Sequence, residues 1–357
     1  MKIYTITTPV EGMHEPTYDE VLLSGYTAGY ESGYTDGQEE CRDYSKEYFT
    51  IEALEDGQLN VYISCEYSIN DGEWETFEEP ATLSLSEGDK VRFKGYNYRV
   101  FYYMFSGNTM SFQVYGNILS LSYGDDFEDK NICNSYSQIF ADCSGLKSAE
   151  NLILPATTLD TNCYFQMFMG CSSLTKAPAL PATTLASGCY MDMFHGCTSL
   201  TTAPELPATI LSQRCYNSMF YGCSSLTTAP ALPAMTMEKT CYQNMFYGCT
   251  SLASAPVLPA TTLATSCYYG MFRGCTSLAQ APVLPATTLV SSCYFSMFYE
   301  CTNLNYVKCL ATNISAFACL SDWLANVSPT GTFVKAAGVS WPTGSSGIPV
   351  GWTVIEE

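Results

Sequence analysis

The chain has 357 residues, a net charge of −20, and equal shares, 14% each, of charged and aromatic residues. That length exceeds one small domain, and the aromatic content marks an ordered chain. The acidic balance excludes nucleic acid and anionic membrane surfaces as default partners, because both reward clustered Lys and Arg. Residues 1–130 hold 25 acids and 8 bases, a net of −17 that leaves only −3 for the rest. No apolar run approaches the roughly 18–20 residues needed to cross a bilayer, so no membrane insertion is expected.

Residues 1–47 read as an N-terminal attachment or oligomerisation segment. Gly25, Gly29, Gly33 and Gly37 recur every fourth residue, with Tyr26, Tyr30 and Tyr34 in step. On a helix, Leu22 joins these tyrosines in a stripe beside a glycine ridge. Each interior glycine costs about 1 kcal/mol against alanine, so such a helix needs a partner. Residues 18–40 are therefore expected to pack against copies of this chain or a docking partner; a Gly/Tyr-rich tail is the alternative. The opening Met1–Pro9 lacks an apolar stretch and a cleavage site, so no secretory signal is expected.

Residues 48–132 read as a small antiparallel β-sandwich that covers the open edge of the repeats C-terminal to it. Tyr48–Ala53 and Leu59–Ile63 alternate apolar and polar around a turn at Glu55-Asp56-Gly57. Asn70-Asp71-Gly72 is a hairpin signal between Tyr67-Ser68-Ile69 and Glu73–Phe77. Thr82–Leu85, Lys90–Phe93 and Met110–Val114 continue the pattern. Trp74 reads as core, with a carbohydrate platform as the alternative. The acids Asp125, Asp126, Glu128 and Asp129 lack EF-hand spacing and read as a solvated loop rather than a calcium site.

Residues 133–318 repeat. Cys163, Cys189, Cys215, Cys241, Cys267 and Cys293 succeed one another at 26-residue steps, and Cys171, Cys197, Cys223, Cys249, Cys275 and Cys301 run 8 residues behind. Between them stands Tyr-x-x-Met-Phe-x-Gly, then Ser-Leu-Thr-x-Ala-Pro-x-Leu-Pro-Ala-Thr-Thr-Leu. A degenerate coil begins near Ser135, with Tyr136, Phe140 and Cys143 in the matching places. Units this short cannot hold a core alone, so they stack as a solenoid. Cys215, Met219, Phe220 and Cys223 suggest one face of a short helical turn, and Ser225–Ala229 a strand ended by Pro230. The fold class expected is mainly β with short helical segments. Residues 319–357, with Leu320–Leu324, Thr332–Lys335 and Trp352–Ile355, read as a C-terminal cap.

The order Met-Phe-x-Gly-Cys, Ser-Leu-Thr, Leu-Pro resembles the BspA-like leucine-rich repeats of bacterial surface proteins. That family's shorter unit runs Ala-Phe-x-x-Cys-x-x-Leu, Ile-Pro, Ile-Gly. The resemblance covers about residues 135–320. This chain departs from it in longer coils, Cys for a buried Ile, and Ala-Pro inside the strand. The resemblance implies adhesion or ligand binding and no catalysis.

The cysteines, 18 in all, read mainly as small buried side chains stacked in two ladders of unpaired thiols. Parallel Cβ vectors suit disulfides between coils poorly, and two histidines with no Cys-x-x-Cys pair leave no zinc spacing. No metal, cofactor or catalytic residue is expected, since no phosphate-loop, metalloprotease or nucleophile-elbow motif occurs.

Comparing coils isolates positions that change while the frame stays constant. One column reads Met169, His195, Tyr221, Tyr247, Arg273 and Tyr299. A second, earlier in each turn segment, reads Phe165, Met191, Asn217, Gln243, Tyr269 and Phe295. A strand-side column runs Lys176, Thr202, Thr228, Ser254, Gln280 and Tyr306. Side chains released from packing, and rich in Tyr, Phe, Met and Arg, are candidate ligand contacts. The partner expected is a host-surface glycan or protein, or another virion structural protein. Unpaired thiols and the absent signal point to a phage virion appendage (fibre, tail or capsid-decorating subunit) assembled in the host cytoplasm. A bacterial cell-surface adhesin is the alternative.

Overall fold

The computed structural model describes residues 42–77, 80–95, 102–128, 130–131 and 135–357. Leu22, Gly25, Tyr26, Gly29, Tyr30, Gly33 and Tyr34 lie outside the described residues. The protein is mainly β. Its described helices are single turns, at Tyr44–Lys46, α1 (Ser120–Tyr123) and Gly124–Asp126.

Strands β1 (Phe49–Ala53), β2 (Gly57–Val61), β3 (Cys65–Ile69), β4 (Glu75–Phe77), β5 (Ala81–Leu85), β6 (Lys90–Lys94) and β7 (Phe112–Asn117) precede the repeats. They divide into a sheet ordered β4-β3-β6-β1-β7-β8, with β8 (Leu146–Ile153), and a pair β2-β5. Alternation sends Phe49, Ile51, Val91 and Phe93 inward from one sheet and Leu59, Val61 and Leu85 from the other, into one core. Asn70 and Asp71 adopt φ of 51° and 59°, the geometry that a tight β3–β4 hairpin demands. The turn after Ala53 makes no hairpin. β1 lies between β6 and β7 while β2 pairs with β5, so residues 54–56 carry the chain from one sheet to the other. β7 starts two residues later than expected, and Met110 before it packs over Gly57, where an added Cβ would stand 2.6 Å from its Cγ.

β7 pairs in parallel with β8, which lies in the first coil, so the same sheet enters the repeats. Beyond β8 the strand side reduces to isolated parallel bridges such as Thr202↔Thr228↔Ser254. The expected five-residue strands do not form there. Pro178, Pro204, Pro230, Pro256 and Pro282 remove the N–H that would extend each bridge into a ladder. In the first and last coils Glu150 and Lys308 occupy the proline place, and there full strands appear, β8 and β9 (Tyr306–Cys309).

The expected helical turns are also corrected. The Cys-to-Cys segments are runs of tight turns in which every fourth residue is left-handed, as at Arg214 (φ 59°), Ser218 (φ 53°) and Gly222 (φ 72°). Backbone groups then alternate between two roles. Asn217, Met219, Tyr221 and Cys223 donate N–H three residues back, at 3.1–3.3 Å. Tyr216, Ser218, Phe220 and Gly222 donate instead to Cys241, Gln243, Met245 and Tyr247 of the next coil, at 2.7–3.1 Å. A helix keeps its N–H groups for itself; these turns give half of theirs to the neighbour.

The interior repeats with the backbone. Phe168, Phe194, Phe220, Phe246, Phe272 and Phe298 stack at 5.5–5.7 Å, within 9° of parallel. Tyr164, Tyr190, Tyr216, Tyr242, Tyr268 and Tyr294 form a second buried stack at 5.7–6.1 Å. The later cysteine of each pair donates its thiol to a phenylalanine carbonyl in the preceding coil, as Cys249 Sγ does to Phe220 at 3.1 Å. Cys163 departs from the expected unpaired ladders: it is disulfide-bonded, unlike the other described cysteines. At the far end Trp323 stacks on Tyr294 at 6.2 Å, and β10 (Thr332–Lys335) and β11 (Thr353–Glu356) extend β9 in parallel.

Replacing Phe246 by Ala removes a ring held on both faces. It is expected to cost about 3–5 kcal/mol in urea denaturation. Burial pushes the thiols of Cys223, Cys241 and Cys301 up to about 12 from an ordinary 9.0. Above pH 9 the unfolded chain releases protons that the fold retains, so this contribution is complete below about pH 9 and lost towards about pH 12. Urea midpoints should therefore fall between about pH 9 and 11, more steeply than in a variant with Cys223, Cys249 and Cys275 replaced by Ala.

Candidate functional site

Each turn segment sends Cys, Tyr, Met and Phe inward and leaves two positions, four residues apart, on the outward side. The structure places Met169, His195, Tyr221, Tyr247, Arg273 and Tyr299 in one outward column, and Phe165, Met191, Asn217, Gln243, Tyr269 and Phe295 in the other. All are half-buried rather than fully solvent-facing. The cause is stacking between coils. His195 lies 4.5 Å from Tyr221, and Tyr221 lies 4.4 Å from Tyr247, ring centre to ring centre. The Arg273 guanidinium carbon then sits 5.2 Å from the Tyr247 ring and 4.4 Å from that of Tyr299. In the second column Tyr269 and Phe295 stack at 4.6 Å, 2° from parallel.

These rings spend their faces on one another. What these columns leave outward is ring edges, phenol hydroxyls, amides and the guanidinium, not open aromatic platforms. Burial, the neighbouring Tyr247 and a hydrogen bond with it all raise the Tyr221 phenol, and the Arg273 charge opposes them. A polar thread runs alongside. Gln138 donates to Gln166 at 2.7 Å, Gln166 reaches Asp192 at 3.5 Å, and Asp192 Oδ1 lies 3.3 Å from His195 Nδ1.

The strand-side column is more exposed: Lys176, Thr202, Thr228, Ser254 and Gln280 are open and Tyr306 is half-buried. Lys176 pairs with Glu150 at 2.5 Å. Sequence reasoning missed one exposed feature. The Thr-Thr pairs Thr157/Thr158, Thr183/Thr184, Thr261/Thr262 and Thr287/Thr288 recur yet are exposed, and their backbone lies at the second bridge between coils, where Ile210 and Met235 replace one threonine in two other coils.

In the β-region Trp74 is half-buried rather than core. Lys94 Nζ lies 4.4 Å from its ring, the Arg92 guanidinium 5.4 Å and the Tyr48 ring 5.1 Å. Asp125 accepts hydrogen bonds from Tyr48 at 2.6 Å and Lys94 at 3.0 Å, which lower its pKa. No metal-ligating cluster occurs among the described residues. A shallow cleft of about 290 Å³ at the C-terminal cap, between Leu324–Pro329 and Pro349-Val350, carries no ionisable side chain.

Comparison with family models, curated proteins and solved structures yields no match for this chain. The outward columns are the candidate site on geometry alone. Tyr247→Ala removes the ring between Tyr221 and Arg273 and is expected to lower stability by about 1–3 kcal/mol in urea denaturation.

Proposed function

We propose that this chain is a non-enzymatic binding protein: a leucine-rich-repeat solenoid with BspA-like units that presents its turn-side columns to a host-surface ligand. The observation that carries this reading is the contrast within each coil. Inward positions repeat almost without change, while outward ones run through Met, His, Tyr and Arg in one column and Phe, Met, Asn, Gln and Tyr in the other. A purely structural stack would tolerate one residue throughout, as the interior does. Burial raises the thiols of Cys197, Cys223 and Cys249 above their ordinary value and so disfavours the thiolate that nucleophilic chemistry needs.

As the place of display we favour a phage virion, in a fibre, tail or capsid-decorating subunit. Long ladders of free thiols suit assembly in a reducing cytoplasm. The disulfide at Cys163 favours the second reading, a cell-surface adhesin matured under oxidising conditions.

The test is binding of the whole chain to arrays of surface glycans and surface proteins. Triple replacement of Tyr221, Tyr247 and Tyr299 by Ala should weaken the captured ligand at least about tenfold. Undiminished binding by a folded triple variant removes the turn-side columns as the site.

A further inference from the structure

Arg273 combines two features: it forms no ion pair among the described residues, as is also true of Lys90, Lys147, Arg214 and Lys239, and it is seated between two rings. Arg92, Lys94, Lys176, Lys308 and Lys335 each pair with a carboxylate. Arg273 has no such partner among the described residues, although its guanidinium is held between Tyr247 and Tyr299. Its Nε is buried without an acceptor, whereas its terminal nitrogens are not, so they reach the surface. The acid nearest in the neighbouring coil, Glu300, is exposed and forms no ion pair with it.

This arrangement does more than fill a place in the column. Tyrosine fills the same place at Tyr221, Tyr247 and Tyr299, so stacking alone does not call for arginine. Stacking uses the faces of the guanidinium and leaves its in-plane N–H edge, whose fork matches a carboxylate. Two ring contacts already hold the long side chain, so little of its freedom remains to be lost on binding. Phenol groups from Tyr247 and Tyr299 stand in the same column, in the coils on either side. In the same coil Gly270 succeeds Tyr269, whose ring is paired with Phe295.

We propose that Arg273, clamped between Tyr247 and Tyr299, recognises the carboxylate of an acidic sugar unit, a uronate or a sialate. This rests on the binding role assigned above to the same columns. A sugar offers one carboxylate amid hydroxyls, and the phenols of Tyr247 and Tyr299 beside the guanidinium suit those hydroxyls. An acidic peptide brings a denser negative charge against a chain of net −20. The repeats are the favourable part of that field, since residues 131–357 account for only −3 of it.

Titration calorimetry with the full chain tests this, using a galacturonate tetrasaccharide, its methyl ester, sialyllactose, lactose and tetraglutamate. Binding of either carboxylated saccharide at least about tenfold tighter than its neutral counterpart is expected. Arg273→Gln and Arg273→Tyr should each lose about tenfold to a hundredfold, and Arg273→Tyr keeps a ring in the column and so keeps the thermal midpoint. Equal affinity for ester and acid, no binding of any saccharide, tetraglutamate bound as tightly, or unchanged affinity in both variants would each overturn the proposal. If the arrays capture a ligand that Arg273→Gln binds as well as the parent chain, the binding role stands and this inference alone falls.

Discussion

The stack of Phe168, Phe194, Phe220, Phe246, Phe272 and Phe298 sets the dimensions of every coil, because rings 5.5–5.7 Å apart leave no room for a change in register. A longer side chain in one coil would have to displace both neighbours, and a shorter one would leave a void with two walls. The cysteines obey the same spacing. Phe220 O accepts the N–H of Cys223 in its own coil and the thiol of Cys249 in the next, at 3.1 Å each. Valine would fill that volume and leave the carbonyl one donor short. Cysteine is small enough for the ladder and polar enough for the bond.

The outward columns obey the stacking constraint less strictly, and that gives them their variety. Ring-on-ring contacts at Tyr221, Tyr247 and Arg273 cement adjacent coils while leaving edges and polar tips outside. Residue type can then change from coil to coil without disturbing the interior. Fixed and changing side chains thus stand only one residue apart, as at Phe220 and Tyr221.

The coil length and the buried Cys, Met, Phe and Leu were legible from repetition alone, because neighbouring coils impose the same demands. The backbone of the turns was not. Burial at positions i, i+4, i+5 and i+8 fits a helix and a run of tight turns equally well, and the difference lies in the sign of φ. Asp192, Asn244 and Gly270 at the left-handed places were the available clue, since those residue types tolerate that conformation best. The strands were overestimated because each proline's effect reaches across coils, to partners 26 residues away. The outward columns were legible as changing positions, but their mutual cover was not. Local spacing does not reveal which rings will lie upon one another. Nor does alternation alone disclose that β1 and β2, adjacent in sequence, belong to different sheets.

The alternating backbone roles make the stack polar. On the turn side every shared N–H points towards the C-terminal end and every shared carbonyl towards the N-terminal end, so the peptide dipoles add instead of cancelling. One terminus therefore needs donors and the other needs acceptors. Phe105 and Gly107 supply N–H groups to the carbonyls of Ile139 and Ala141 at the first coil. Ser345 and Ser346 receive the N–H groups of Leu324 and Asp322 at the last. The two end pieces are consequently not interchangeable, whereas an extra coil could enter anywhere between them without disturbing either.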